Sequence, residues 1–275
     1  MQRSTVFLAL AVFSLSAASM RADTLAVDLG KLAADNFAVL GASTVTNTNT
    51  PTVLSGNLGV YPGSSITHFP PGIVVNGTND GNNAAAATGH SDATTAFGDL
   101  AGLSSPYPLL GADPSGSTLT PGVYKFSTSP DLTGVLTLNF LGLSDQNFVF
   151  QIAASDTLTT ESGSSVIIEG AGAHDNVYWE VGSSATLGTT TSFVGNIIAS
   201  TSITLATGAT INCGSAIALT GAVTLDDNTI STCTAGAVGG TGGGVVNTTP
   251  EPGTFGLLAT GILGVAGAIR RRLSA

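Results

Sequence analysis

Residues 184–230 read SATLGTTTSFVGNII (184–198), STSITLATGATINCGSAIAL (200–219) and TGAVTLDDNTI (220–230). A Thr-Leu pair returns at Thr186-Leu187, Thr204-Leu205 and Thr224-Leu225, at spacings of 18 and 20 residues. Five or six positions after each Thr comes a hydroxyl residue and then an apolar one: Ser192-Phe193, Thr210-Ile211 and Thr229-Ile230. The first two are followed by a further apolar run, Asn196-Ile197-Ile198 and Ala216-Ile217-Ala218-Leu219. Three short strands per repeat, separated by Gly and Asn, describe one three-sided turn of a β-solenoid.

Alternation gives the pattern its physical meaning. Neighbouring side chains on a strand point to opposite faces, and stacked coils lie roughly 4.7–4.9 Å apart. If Leu187, Leu205 and Leu225 point inward, Thr186, Thr204 and Thr224 form an outward ladder. Ser192, Thr210 and Thr229 form a second. For any single Thr, the plain explanation is strand propensity on a solvated face; two ladders in register point to a purposeful surface.

Working outward, strand-like runs recur on both sides. Upstream are Val123-Tyr124-Lys125-Phe126, Leu136–Phe140, Phe148–Ile152, Val166-Ile167-Ile168 and Val177–Val181, with further Thr-Leu pairs at Thr137 and Thr157. Phe148, Phe150 and Ile152 alternate inward, as do Val177, Trp179 and Val181, and the aromatics read as fillers of the axis. Earlier, Phe37–Leu40, Thr52-Val53-Leu54 and Leu58–Tyr61 are punctuated by Asn47–Pro51 and Tyr61-Pro62-Gly63, as the first coils would be. Between these blocks, residues 82–103 (NNAAAATGHSDATTAFGDLAGL) predict a helix. Asn82 or Asn83 is its N-cap, and Ala93, Phe97, Leu100 and Leu103 form a narrow stripe for the solenoid flank. Gly89 and Gly98 each weaken it by about 1 kcal/mol relative to Ala, and His90 is expected to face solvent. A Pro/Gly/Ser-rich connection, 104–123, follows.

Composition suits stacked β structure: of 275 residues, 43% are apolar and 9% charged, and 36 are glycine. The net charge of −10 understates the acidity of the middle, where Asp23 to Thr249 holds Lys31 and Lys125 against sixteen acids. Such a body cannot neutralise phosphates, which excludes nucleic acid as a partner. Cys213 and Cys233 are 20 residues apart, one repeat, so they fall on adjacent coils. That spacing suits a disulfide stapling the last coil, with two free thiols as the alternative. No His or third Cys accompanies them as a metal site would require.

The ends are of another kind. Residues 1–22 (MQRSTVFLALAVFSLSAASMRA) have a basic start, an apolar run from Val6 to Leu15 and small residues for a cut after Ala18 or Ala22. This is the pattern of a secretory signal peptide. The solenoid domain is assigned to 23–233, and a Gly/Thr-rich linker to 234–249. The segment 250–275 carries Pro250-Glu251-Pro252, an apolar run from Gly253 to Ile269 and Arg270-Arg271-Arg272. By itself that run is long enough to anchor the chain in a membrane.

Two resemblances add to this reading. Residues 250–272 resemble the PEP-CTERM sorting signal, with its PEP triplet, hydrophobic helix and arginine cluster. The resemblance implies export in a Gram-negative bacterium, handling by an exosortase-type transpeptidase, and an extracellular or cell-surface destination. Membrane contact is then only through this segment before processing. The body, from about Leu29 to Ile230, resembles the ice-binding-like (DUF3494) family through NFAVLGASTVTNT, SGNLGVYPG, LTPGVYKFSTS, LTGVLTLN, NFVFQI, VYWEVGSSATLGTTTSFVGNIIA and GAVTLDDNTI. It implies a right-handed, discontinuous β-solenoid of triangular cross-section with one α-helix packed alongside, and ice binding through one flat face. A loose T-A/G-x-T/N pattern marks that face in some members. Thr207-Gly208-Ala209-Thr210 matches it; Thr220-Gly221-Ala222-Val223 departs at its last position, and Thr88-Gly89-His90-Ser91 falls in the helix.

The expected function is therefore adsorption to an ice surface, with Thr186, Thr204, Thr207, Thr210 and Thr224 as candidate contacts. The alternative is a structural or adhesive matrix protein whose solenoid face meets extracellular polysaccharide. Enzymatic chemistry wants paired carboxylates or a base beside a cation. Asp226-Asp227 is the one adjacent acidic pair and reads as a turn. His68, His90 and His174 are scattered, and no GxSxG or Cys-His arrangement occurs. The sequence thus predicts a non-enzyme with no metal and no cofactor; a calcium ion at Asp226 and Asp227 would lack ligands.

Overall fold

The computed structural model describes residues 36–48 and 51–233. The expected signal peptide (1–22), linker (234–249) and sorting segment (250–275) lie outside the described residues. The described chain opens with β1 (Phe37–Gly41), β2 (Thr44–Asn47) and β3 (Val53–Ser55). A second coil follows, of β4 (Asn57–Val60), β5 (Ser65–Thr67) and β6 (Ile73–Val75), and the block ends on β7 (Asn79–Gly81). The helix α1 (Ala84–Gly102) comes next, and then β8 (Thr118–Leu119), β9 (Gly122–Lys125) and β10 (Asp131–Leu132). Two regular coils are β11 (Val135–Asn139), β12 (Asn147–Ile152), β13 (Leu158–Thr160), and β14 (Ser165–Glu169), β15 (Asn176–Val181), β16 (Ala185–Leu187). The last are β17 (Ser192–Ala199), β18 (Ile203–Leu205), β19 (Thr210–Ala218), β20 (Val223–Leu225) and β21 (Thr229–Ser231).

All pairings between these strands are parallel, and they build three faces. One face is the seven-stranded sheet β10-β13-β16-β18-β20-β2-β5, here the threonine face. The other two belong to a single sheet folded along an edge. Its mixed face runs β8-β11-β14-β17-β19-β21-β3-β6, and its helix face runs β9-β12-β15-β17-β19-β1-β4-β7. β17 and β19 serve both faces, so two of the three strands expected per repeat are here one bent strand. The bend is a register shift between Val194 and Asn196. Gly195 there has φ +105°, and a Cβ on Gly214 would overlap the Gly195 carbonyl oxygen, so both positions require glycine.

The stack is discontinuous, as the resemblance implied. β1, β2 and β3 lie between the coil that follows them, β4, β5 and β6, and β19, β20 and β21 from the far end of the described chain. The helix connects the two ends of the stack. At 19 residues it is about 28 Å long, close to the roughly 33 Å spanned by the eight strands of the helix face. Asn83 caps it, its Oδ1 accepting from Ala86 N at 3.0 Å. At the other end Gln151 Nε2 donates to the carbonyls of Leu100 and Leu103, satisfying groups a helix leaves open.

Inward residues fill the prism. Leu187, Leu205 and Leu225 are buried, each contributing about 1.5–3 kcal/mol relative to exposure. Phe148, Phe150, Ile152, Val177, Trp179 and Val181 join the same core, as expected. The rings of Phe150 and Trp179 stack at 4.0 Å and Trp179 meets Phe193 at 4.9 Å, while Trp179 Nε1 donates to Val194 O at 3.1 Å. A second core lies between the helix and the outside of its face. There Ala86, Ala93, Ala96 and Leu100 meet Leu40, Val149, Tyr178, Ile198 and Ile217. His90 departs from expectation. It is half-buried, its Nε2 is 2.9 Å from Leu219 O, and its ring lies beside Tyr61, because residue 90 borders the buried stripe at Gly89.

Candidate functional site: the threonine face

In β16, β18 and β20 a Thr stands between two apolar residues that point inward, as in Ala185-Thr186-Leu187, Ile203-Thr204-Leu205 and Val223-Thr224-Leu225. The strand alternation then leaves the Thr no side but the outer one. Thr186 pairs with Thr204, and Thr204 with Thr224. The column runs further at both ends. Thr224 pairs with Thr46 and Thr46 with Thr67; on the other side Thr186 pairs with Thr159 and Thr159 with Asp131. Six threonines thus stand in successive strands, headed by one aspartate. None of these six pairings carries a register shift.

Thr186 and Thr204 are exposed and Thr224, Thr46, Thr67 and Thr159 half-buried. Thr159 Oγ1 bonds to Pro130 O and Asp131 Oδ1, both at 3.1 Å. Among the described residues no side-chain hydrogen bond engages the hydroxyls of Thr186, Thr204 or Thr224. Each therefore presents a methyl, a donor and an acceptor to whatever lies outside, at a repeat of roughly 4.8 Å fixed by the backbone ladder.

The five candidates do not share this plane. Thr210 opens β19 on the mixed face, where the column reads Val135, Ser165, Ser192, Thr210, Thr229, Val53, Ile73. Thr207 sits on the edge between the two faces and gives its hydroxyl hydrogen to Asp226 Oδ2. On the mixed face the four hydroxyl residues are flanked by exposed Val135 at one end and by Val53 and exposed Ile73 at the other, and the helix face is covered by α1.

Thr46, Thr67 and Thr159 escaped sequence reading because they are not Thr-Leu pairs. The signal was present as Val45-Thr46-Asn47, Ile66-Thr67-His68 and Leu158-Thr159-Thr160: an apolar residue before the Thr, with the following side chain free to vary. Conversely, Thr157 stands two positions before the column, ahead of β13, and Thr137 lies on the mixed face beside Thr118.

Asp226 and Asp227 form the expected turn, with Asp227 at φ 55° and Asp226 N donating to Asn228 Oδ1. The cysteines are joined, Cys213 to Cys233, with their Cα atoms 4.5 Å apart. Among the described residues, no group of three or more His, Cys, Asp or Glu stands together to hold a metal ion.

Comparison with known proteins bears on this geometry. A PEP-CTERM protein-sorting motif matches residues 248–272, which implies export and sorting to the surface. A protein named "Ice-binding protein" from Nostoc sp. (strain HG1) is 49% identical over 231 residues, covering 84% of this chain and 82% of the relative. The crystal structure of an ice binding protein from an Antarctic biological consortium shares 44% identity at a TM-score of 0.64, covering 72% of this chain and 88% of that one. That of the Antarctic ascomycete Antarctomyces psychrotrophicus shares 38% at a TM-score of 0.65, covering 75% and 98%. The model for the family described as Ice-binding-like matches residues 39–231, most of the chain and nearly all of the solenoid, so this chain belongs to the ice-binding-like family.

Proposed function

We propose that this protein binds ice through the threonine face, with Thr186, Thr204 and Thr224 at its centre and Thr159, Thr46 and Thr67 extending the array. The observation that carries the reading is the unshifted column of six threonines across successive strands. A rigid array of paired methyls and hydroxyls holds water in a repeating arrangement at the spacing of the strands. Ice adsorption makes and breaks no covalent bond, so the reading assigns no catalytic residue, metal or cofactor. The relatives' names as ice-binding proteins support it.

On this reading, residues 1–22 direct export and 234–249 link the solenoid to the sorting segment. An exosortase-type enzyme of a Gram-negative bacterium acts at Pro250-Glu251-Pro252, with Arg270, Arg271 and Arg272 as the basic end of its signal. The test is ice-crystal shape and thermal hysteresis. Thr204→Lys and Thr186→Lys, exposed substitutions that leave the core untouched, should abolish faceting without lowering Tm. Thr210→Lys, on the mixed face, should leave it intact. The opposite ranking would move the site to the mixed face. Round crystals from folded wild-type protein would leave a matrix or adhesive role, with polysaccharide as the partner.

A further inference from the structure

Both ends of the described domain leave the solenoid at one edge. The chain crosses from the mixed face to the helix face at Ser55-Gly56-Asn57. There Asn57 N donates to Asn36 O at 2.8 Å, and Thr232 N donates to Ser55 O at 3.0 Å. A Cβ placed on Gly56 would touch both Asn36 and Thr232. Entry and exit therefore lie side by side where the mixed and helix faces meet. In a three-sided prism the threonine face is the side opposite that edge.

The exit has a mechanical weakness. β21 is three residues long, held by β19 on one side and β3 on the other. On the mixed face it joins the C-terminal coils to the N-terminal ones. A pull entering at residue 234 and passing up the chain would peel this strand bond by bond, as terminal elements open most readily. The disulfide removes that route. Cys233 lies two positions past β21 and is bonded to Cys213 inside β19. β19 is nine residues long and pairs with β17, β21 and β1. Force arriving from the tail crosses the sulfur–sulfur bond into β19, so it no longer peels β21 from its C-terminal end. The loop so protected ends where the domain ends, and the sorting motif at 248–272 follows.

We propose that this protein works under tension, as a tether holding whatever carries its tail to ice, with Cys213–Cys233 as the junction through which pull enters the fold. The proposal rests on the ice-binding reading of the threonine face. It gives the sorting tail, the exit edge and the disulfide one shared purpose: the tail pulls from the edge opposite the surface that adheres.

The test couples the full chain to beads through its C-terminal tail and holds the beads on ice under flow, with and without a thiol reductant. Free protein is scored for ice shaping and for its β spectrum in the same solutions. Reduction should shorten bead lifetimes several-fold, increasingly so at higher flow, while shaping and spectrum stay unchanged. The Cys213→Ser/Cys233→Ser pair should reproduce the reduced lifetimes without reductant. Beads coupled through Asp23 instead should show no effect of reduction, since pull then enters at β1. Equal lifetimes in both redox states, with shaping intact, overturn the proposal. So does loss of shaping on reduction, which would make the disulfide a support of the face. Absence of shaping in either state overturns the ice-binding reading itself.

Discussion

At the residue scale, a ladder Thr and a buried acid show how position decides what a side chain does. Thr204 has its methyl and hydroxyl outside and, among the described residues, no side-chain hydrogen bond, so replacing it should change ice adsorption and leave stability alone. Glu180 is the reverse case. It lies in the outward row Lys125–Gln151–Glu180 of the helix face, near the C-terminal end of α1, and is 5% exposed. Burial pushes its carboxyl up from 4.5 to about 7, against a hydrogen bond with the Ile152 backbone and the pull of Lys125. Between those two pH values the folded state holds a proton that the unfolded state has released. Stability contributed by this group is thus complete below about pH 4.5 and declines as pH rises to about 7. Glu180→Gln should raise Tm at pH 8 by a few degrees, leave it unchanged at pH 4.5 and flatten the Tm–pH curve between. An unaltered curve would remove Glu180 as its cause. Asp113 works with opposite sign. The hydroxyls of Ser115 and Thr133 hold it down at about 2, so its contribution is present above 3.8 and is lost as pH falls through about 2.

At the scale of the element, α1 was legible because an alanine run after an Asn is a helix with a cap in any setting. Its contact stripe was only partly legible. Ala93 and Leu100 are buried as expected, but Phe97 and Leu103 are only partly so, and Ala86, Gly89 and Ala96 complete the buried line. Small residues read as a weak hydrophobic signal in sequence; in the structure they let the helix lie close on the sheet. Gly89, counted as a weakness of the helix, belongs to that line. Gly89→Leu should therefore destabilise the domain by ~1–3 kcal/mol through overpacking, although Leu is the better helix former. Urea denaturation gives the sign directly, and a rise in the midpoint would show room at this contact.

At the scale of the whole molecule, a buried hydrogen-bonded cluster spans the seam where N-terminal coils meet C-terminal ones. Asn228 is 1% exposed there. Its Nδ2 donates to Ala206 O at 2.9 Å and Ala209 O at 3.0 Å, and its backbone N–H donates to Thr52 Oγ1 at 3.1 Å, 176 positions away. Thr52 in turn donates to Asn47 Oδ1 at 2.8 Å. Asn228→Ala would leave two carbonyls inside the prism without these donors, at about 1–3 kcal/mol for such a loss. A lower urea midpoint with unchanged ice shaping is the expected result; an unchanged midpoint would show that water replaces the amide. Resistance to pull, by contrast, should depend on the disulfide far more than on this bracket.

The sequence by itself determined the repeat, the inward and outward alternation, the helix and the two cysteines one repeat apart, because each follows from neighbours along the chain or from a fixed period. It also carried the family resemblance. Only the tertiary structure decided which threonines share a plane. Thr204 and Thr210 are six residues apart and lie on different faces; Thr224 and Thr46 are far apart in sequence and adjacent on one. The reason is physical: a strand's alternation fixes the side of a residue, but the seam that joins β20 to β2 is closed by packing between distant segments, which no local pattern records.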